Sequence, residues 1–310
     1  MWQEPMWAYL LHLGFNMWND VDWYAEYTKA GGTLLCEEEC WDELVEFMAA
    51  CGINTCVIDI GEGVCFQSHP EIAVKGSWSI EKLKKKLADM RTLGITPVPK
   101  LNFSACHDQW MGEYARAVST RWYYDFCRDI IEEVADIFGK PMLFHIGMDE
   151  ETYNHQKDYS HAVVRQNDLW WHDFYYLVEQ VENNGARAWI WSDYIWDHTE
   201  LFLRKMPKSV LQSNWYYGRF NPHESENMGI KSYRILEENG YDQVPAGSNW
   251  SCSENFERTV DYCKNVVSPD RLKGFLQTSW KPTVADRKYR HYEAVDLLKQ
   301  AKRLYSLGEK

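Results

Sequence analysis

Residues 141–155 read PMLFHIGMDEETYNH and join an apolar run to three consecutive carboxylates, Asp149, Glu150 and Glu151. The apolar run is typical of a buried strand, and parallel sheets and barrels place functional residues at the carboxyl ends of their strands. Adjacent like charges cost free energy unless water screens them or a function uses them. This stretch is therefore the predicted fourth strand and the candidate active site.

Strand and helix patterns alternate along the chain on both sides of this stretch. Amphipathic segments end at glycines such as Gly52, Gly94 and Gly139, which is a C-cap signal. The alternation predicts an α/β fold with a parallel sheet, and eight strands favour a single (β/α)8 TIM barrel over residues 1–310 rather than a doubly wound sheet. Besides the opening stretch, the predicted strands are 8–18, 54–60, 96–103, 186–191, 209–215, 242–250 and 274–280. The predicted helices are 41–50, 80–93, 121–138, 167–184, 232–239, 254–266 and 291–305.

The composition excludes several classes of protein. The formal net charge of -13 leaves no basic stripe for phosphates, so we expect no nucleic-acid partner and no anionic membrane partner. No apolar run is long enough to span a bilayer. The nine cysteines are scattered, and the N-terminus has no recognisable leader pattern. The expected compartment is therefore the reducing cytoplasm.

Tryptophan is unusually frequent, with 16 residues in the chain. Five of them stand beside small polar residues at the ends of predicted strands. Strand ends converge in a barrel, so these side chains predict one concave pocket with indole walls, of the kind that stacks on sugar rings. Hydrophobic packing is the alternative for each one taken alone. The five are Trp18, Trp191, Trp215, Trp250 and Trp280.

The acids of the opening stretch are predicted to have two different roles, one as a proton donor and one as an ionised carboxylate. A carboxylic acid in a dry pocket has a raised pKa and can donate a proton, whereas a neighbour solvated by donors stays ionised. Two acids with these roles are what cleavage of a glycosidic bond needs. Asp149 and Glu150 are the predicted pair, and Glu151 is predicted to be solvated surface. A solvated turn, or a helix N-terminus, is the structural alternative for all three.

The motifs resemble those of a known family. His-Ile-Gly-Met-Asp-Glu at 145–150 resembles the His-x-Gly-Gly-Asp-Glu signature of family 20 glycoside hydrolases, the β-N-acetylhexosaminidases. Residues 99–107, PKLNFSACH, are similar to the family's Pro-Glu-Ile-Asp-Met-Pro-Gly-His, which begins with the same proline and ends with the same histidine. The resemblance extends over strands two to eight. It places four further residues in the family's aromatic pocket, namely Trp191, Asp193, Trp215 and Trp280.

The resemblance implies a retaining mechanism in which the substrate's own 2-acetamido oxygen attacks the anomeric carbon. Asp149 would orient the acetamido group, and Glu150 would act as the general acid and then the general base. The implied partner is a glycoside or glycoconjugate of an N-acetylated amino sugar, and no cofactor is implied. The remaining candidate substrate-binding residues are Asn16, His107, His145, Tyr216 and Trp250.

Four departures from the family pattern concern the residues that should hold the sugar. Met148 replaces the second glycine, and the first strand lacks the family's arginine. Residues 249–251, Asn-Trp-Ser, replace Tyr-x-Asp, so Tyr216 or Tyr217 would have to substitute. Lys281 replaces a glutamate. These differences leave open a non-catalytic or differently specific carbohydrate-binding barrel of the same fold.

A metal-dependent barrel hydrolase is a further alternative, with His145, Asp149 and His155 as ligands. The first strand offers only His12 and no His-x-His pair. First-row metal sites need three or four converging ligands. We therefore predict no metal.

Overall fold

The eight strands form one parallel sheet in a computed structural model of the chain, which describes residues 4–18, 26–220 and 226–307. The order of hydrogen-bonded neighbours is β6-β5-β4-β3-β2-β1-β8-β7. The strands are β1 Met6–His12, β2 Thr55–Asp59, β3 Thr96–Lys100, β4 Leu143–His145, β5 Arg187–Trp191, β6 Leu211–Ser213, β7 Ala246–Ser248 and β8 Gly274–Thr278.

Bridges between the two ends of this order close the sheet. Gln212 pairs with Gln243, and Trp215 pairs with Ala246. The amide of Ala246 donates to the carbonyl of Asn214 at 2.9 Å, next to β6. All eight strands therefore belong to one barrel, and the predicted (β/α)8 architecture is confirmed.

Helices follow the strands and cover the outside of the barrel. The α-helices of the described residues are α1 Glu38–Ala50, α2 Ile80–Thr92, α3 Arg121–Ile137, α4 Tyr153–Gln156, α5 Asn167–Asn183, α6 Tyr194–Lys205, α7 Met228–Glu238, α8 Asn255–Val266 and α9 Lys288–Leu307. Among these helices, none is both long and apolar enough to cross a membrane.

The sequence patterns missed two helices, α4 and α6, and placed the starts of α1, α7 and α9 three or four residues too late. α4 has only four residues, too few for a periodic pattern. α6 is kinked at His198, where φ is -133° and ψ is 38°, and it buries only Ile195 and Phe202. It therefore lacks the continuous apolar stripe that reveals a helix in a sequence. α7 begins at Met228 rather than at 232, because Asn227 caps it by accepting a hydrogen bond from the amide of Gly229.

Strand periodicity divides the core into two layers. Along β1, Met6, Ala8 and Leu10 pack inside the barrel, whereas Tyr9 and Leu11 pack between the sheet and the helices. The strand was predicted to continue to residue 18, but it ends at His12. The amides of residues 13 and 14 both donate to one carbonyl of β2, so the chain turns out of the sheet here. Met17 and Trp18, at the end of this segment, therefore reach the mouth of the barrel.

A buried charged group lies at the carboxyl ends of the first three strands. Lys100 forms a salt bridge with Asp59, and both are almost completely buried. His12 Nδ1 lies 3.6 Å from the same carboxylate. Burial, and then the charge of Lys100, lower the pKa of His12, so its imidazole is neutral. The cation of Lys100 thus compensates an acid just below the candidate site.

Candidate active site

The loops at the carboxyl ends of the strands enclose a cleft with a cavity volume of about 180 Å³. Asp149 and Glu150 both lie in it. Its walls are mainly aromatic, with a few polar groups between them, which is typical of a small-molecule site. The five tryptophans at predicted strand ends all line this cleft, together with Tyr217.

Asp149 and Glu150 face the same cleft although they are adjacent in the chain. Successive residues of a strand point to opposite sides, but β4 has already ended at His145. The backbone then takes left-handed conformations, with φ of 71° at Gly147, 79° at Met148 and 56° at Glu150. Such conformations are costly outside glycine and cluster at functional sites. This turn brings oxygens of the two carboxylates within 4.8 Å of each other.

Asp149 is held by two donors. The amide nitrogen of Asn102 donates to its Oδ1 at 2.7 Å, and His107 Nε2 lies 3.4 Å from its Oδ2. Only 9% of the side chain is exposed. The carboxylate therefore has a fixed orientation toward the cleft.

Glu150 lies between two imidazoles. His107 Nε2 is 3.1 Å from Oε2, and His155 Nε2 is 3.4 Å from Oε1. Burial favours the protonated carboxyl, but the hydrogen bonds from His107 and then His155 outweigh it and lower the pKa of Glu150 well below its usual range. In the unliganded site Glu150 is therefore ionised.

His107 is protonated for the reciprocal reason. Burial opposes its charge, but the carboxylates of Asp149 and Glu150 outweigh burial and raise the pKa of His107 to about 9. The imidazolium thus neutralises part of the negative charge that the adjacent acids place in the cleft.

Asp193, which follows β5, braces the acidic turn from the other side. Its Oδ2 accepts the amide of Glu150 at 2.8 Å, and its Oδ1 accepts Trp215 Nε1 at 3.1 Å. Burial, and then the negative charge of Asp149, raise the pKa of Asp193 to about 7. This carboxylate therefore fixes both the backbone of one acid and one wall of the cleft.

Asn102 is a site residue that the sequence prediction did not select. Its Oδ1 accepts the amides of Ser104 at 3.0 Å and Met148 at 3.2 Å, while its amide nitrogen donates to Asp149. A Cβ on Gly147 would lie 1.9 Å from that oxygen. The motif at 99–107 contained the signal, because Asn102 occupies the position of the family's aspartate.

Glu151 contradicts the prediction that it is solvated surface. Its side chain is 3% exposed and forms a salt bridge with Arg165 at 2.5 Å. It also accepts the backbone amides of Ala105 and Arg165, at 3.1 and 2.9 Å. Arg165 also forms a salt bridge with Asp173 at 3.1 Å. The third acid is therefore structural and fastens the loop after β4 to the loop after β3.

Besides Asp193, which braces the acidic turn from behind, three predicted binding residues do not line the cleft. Both amide atoms of Asn16 bond the backbone of Gly31 at 2.9 Å, so its side chain holds a loop. His145 is fully buried, and its Nδ1 accepts the amide of Gly147 at 3.0 Å. Tyr216 packs beside Gly229, and the next residue along the chain, Tyr217, takes the place at the cleft.

The substitution at the end of β8 places a cation beside the aromatic wall. Lys281 Nζ lies 4.1 Å from the centroid of the Trp250 ring and donates to the hydroxyl of Tyr27 at 2.7 Å. A cation over an aromatic face is favourable. Lys281, which stands where the family pattern has a glutamate, therefore packs against Trp250.

The metal hypothesis named His145, Asp149 and His155 as ligands. In the described part of the chain these three do not together have the spacing of metal ligands. That spacing belongs to His107, Asp149 and Glu150. Their donor atoms already contact one another directly through the imidazole. His145 lies below them, with one ring nitrogen bonded to backbone.

Comparison with known proteins gives structural matches only. No family model matches the sequence. No curated protein matches it either. The fold is similar to that of a family 20 exo-β-N-acetylglucosaminidase from Vibrio harveyi in complex with N-acetylglucosamine, with a TM-score of 0.62 and 14% identity over 99% of this chain and 58% of that one.

Two further matches are β-N-acetylhexosaminidases from other bacteria. The enzyme from Bacteroides fragilis has a TM-score of 0.63 at 14% identity, and the family 20 enzyme from Streptomyces coelicolor has 0.64 at 12%. Each match covers 94% of this chain and 64% of the other. The chain thus spans about three fifths of the length of these structures. It shares the barrel fold of family 20 β-N-acetylhexosaminidases.

Proposed function

We propose that the chain is a glycoside hydrolase that cleaves β-glycosides of N-acetylated amino sugars. The observation that carries the proposal is the pair Asp149 and Glu150. They are adjacent in sequence and face one tryptophan-walled cleft at the carboxyl end of the barrel. They share His107, but of the two acids Asn102 contacts only Asp149 and His155 contacts only Glu150. Aromatic walls offer stacking faces for a sugar, and the acids supply the chemistry.

The spacing of the acids disfavours the inverting reaction of paired-carboxylate glycosidases. Inverting glycosidases need carboxyl groups about 6.5–9.5 Å apart, to leave room for a water molecule. Here carboxylate oxygens lie within 4.8 Å of each other. Two groups this close suit a substrate that supplies its own nucleophile, because one acid can face the acetamide while the other faces the glycosidic oxygen.

In the proposed reaction the acetamido oxygen attacks the anomeric carbon as the bond to the leaving oxygen breaks. Asp149, oriented by Asn102, accepts the acetamide N–H and stabilises the positive charge that develops on it. Glu150 protonates the leaving oxygen, and later takes a proton from the water that opens the cyclic intermediate. Tyr217, Trp191 and Trp280 enclose the acetamide.

Release of 4-nitrophenol from its N-acetyl-β-glucosaminide and N-acetyl-β-galactosaminide tests the proposal. The chain should release it from at least one of them, and Glu150→Gln should lose about 10²–10⁴-fold in kcat, because the water that opens the cyclic intermediate still needs a general base. The matched control is Glu254→Gln, on the exposed pair with Arg258, which should keep full activity. Sugar binding without release from either substrate would instead support a carbohydrate-binding barrel.

A further inference from the structure

A general acid must carry a proton, yet Glu150 is ionised in the unliganded cleft. Each of its oxygens faces an imidazole nitrogen, with His107 at 3.1 Å and His155 at 3.4 Å. The Glu150 side chain is 27% exposed and lines the cleft, so water can reach it while the cleft is empty. Once a sugar fills the cleft, the proton has to enter the carboxylate from one of these two rings. The structure distinguishes between them by their access to solvent.

His107 is enclosed, whereas His155 is open. The side chain of His107 is 5% exposed, and its Nδ1 is buried with no hydrogen-bond partner among the described residues. The side chain of His155 is 41% exposed and also lines the cleft. A proton taken from His107 cannot be replaced from bulk water through its second nitrogen, but one taken from His155 can.

The ring of His155 is oriented by its own short helix. Thr152 caps α4 by accepting the amide of His155 at 3.3 Å, and its hydroxyl oxygen lies 2.8 Å from His155 Nδ1. This contact directs Nε2 toward Glu150. The charged groups that act on the ring are Glu150 and Asp193, which favour its protonation, and His107, which opposes it. Together, with Glu150 dominant, they raise the pKa of His155 above its ordinary value.

We propose that His155 is the proton relay between solvent and Glu150, an inference that rests on the proposed hydrolase function. In the first step the proton on His155 Nε2 passes to Glu150 and on to the leaving oxygen, as the acetamido oxygen bonds the anomeric carbon and the bond to the leaving oxygen breaks. His155, which is 41% exposed, then takes a proton from bulk water. In the second step water attacks the anomeric carbon and the bond to the acetamido oxygen breaks, while the proton of that water passes to Glu150 and leaves through His155 to solvent. One proton is taken from solvent and one is returned per turnover. His155 acts through Glu150 and is a positioning residue.

His155→Gln, compared on two leaving groups, tests the relay. Nitrophenolate leaves with little protonation, whereas an alkoxide needs a full proton. We expect kcat/KM to fall about 10- to 100-fold for a methyl glycoside and less than about 3-fold for the nitrophenyl glycoside. In His155→Gln the alkaline limb of the pH profile should also be displaced from its position in the wild type. Thr152→Val, which frees the ring, should show the same leaving-group pattern in weaker form.

Tyr153→Ala is the matched control, because Tyr153 is 68% exposed on the same helix. It should leave both rates and the pH profile unchanged. Equal losses of His155→Gln on both substrates, with an unmoved pH profile, would overturn the relay and assign His155 a purely structural role.

A titration that needs no turnover separates this inference from the proposed function. The His155 imidazole, followed by NMR, should lose its raised pKa in Glu150→Gln and keep it in Glu254→Gln. An unchanged His155 titration in Glu150→Gln overturns the relay whether or not the wild type is active. A wild type that hydrolyses neither glycoside overturns the proposed function, even if the two groups titrate together.

Discussion

Asn102 holds Asp149 and the backbone turn beside it with one side chain. Its amide nitrogen donates to the carboxylate at 2.7 Å, and its oxygen accepts the amide of Met148 at 3.2 Å. The residue that orients the acid therefore also stabilises the left-handed conformation that turns the acid into the cleft. Position and orientation of Asp149 depend on the same group.

Replacing Asn102 by alanine should lower activity more than it perturbs the fold. A hydrogen bond to a charged group contributes about 1.5–3 kcal/mol, which corresponds to about a 10- to 100-fold loss in kcat if it acts in the transition state. The measurement is kcat together with urea unfolding. Asn184→Ala, which removes an amide bonded only to the backbone of α5, is the control and should keep full kcat. An unchanged kcat in Asn102→Ala would show that Asn102 does not contribute to catalysis.

Gly147→Ala should destabilise the protein beyond the cost of a positive φ. The added Cβ would lie 1.9 Å from the Asn102 oxygen. Gly185→Ala is the matched control, because φ is 81° there and nothing lies within 4 Å of the added carbon. The control should lose about 1 kcal/mol in the free energy of unfolding, and Gly147→Ala about 1–3 kcal/mol more because of overpacking. Equal losses would mean that Asn102 does not constrain this turn.

Glu151→Ala should be strongly destabilising although the residue adjoins the catalytic pair. It removes one partner of a buried ion pair with Arg165, which typically costs about 3–5 kcal/mol in the free energy of unfolding. Asp168→Ala breaks an ion pair with Lys205 in which the aspartate is exposed, and should leave the free energy of unfolding nearly unchanged. Denaturant unfolding of both variants gives the comparison. A similarly small loss of unfolding free energy in both variants would mean that Glu151 contributes no more than a solvated surface residue.

Stability should fall with rising pH because of Glu62, which is buried and accepts the amides of Phe15 and Asn16. Burial raises its pKa from 4.5 to about 7, so the folded chain keeps a proton that the unfolded chain has already lost. The stabilisation is present below the ordinary pKa and is lost as pH rises through the folded pKa, by about 3 kcal/mol at 1.36 kcal/mol per pKa unit.

Unfolding free energies at about pH 4.5 and about pH 7.5 check this effect of Glu62. The fall with pH should be smaller in Glu62→Gln than in the wild type. The other buried acids titrate in both proteins, so their contributions cancel in the comparison. Identical pH dependence in the two proteins would contradict the assignment.

The architecture and the location of the site follow from local patterns. Strand and helix periodicities, with glycines after five of the predicted helices, led to the eight-stranded barrel. The polar-plus-tryptophan strand ends led to one aromatic cleft, because equivalent strand ends converge in a barrel. The adjacent acids of β4 were located for the same reason. These inferences needed only the order of elements along the chain.

The remaining details depend on contacts between distant residues. Burial of Glu151 follows from Arg165, and the loop role of Asn16 follows from Gly31. Tyr217 lines the cleft and the adjacent Tyr216 does not, although both are equally compatible with the sequence pattern. His155 reaches Glu150 only because a four-residue helix turns it back toward the cleft. Hydrophobic periodicity in the sequence does not predict such contacts between distant residues.

The central claim is that the substrate's acetamide, oriented by Asp149, is the nucleophile. The most direct measurement is kcat/KM for a series of nitrophenyl glycosides whose acetamide methyl carries zero, one, two or three fluorines. Each fluorine withdraws electrons from the acetamide oxygen, so the account predicts that kcat/KM falls steadily along the series. A rate that is independent of fluorination would contradict the account and would place the nucleophile on the protein.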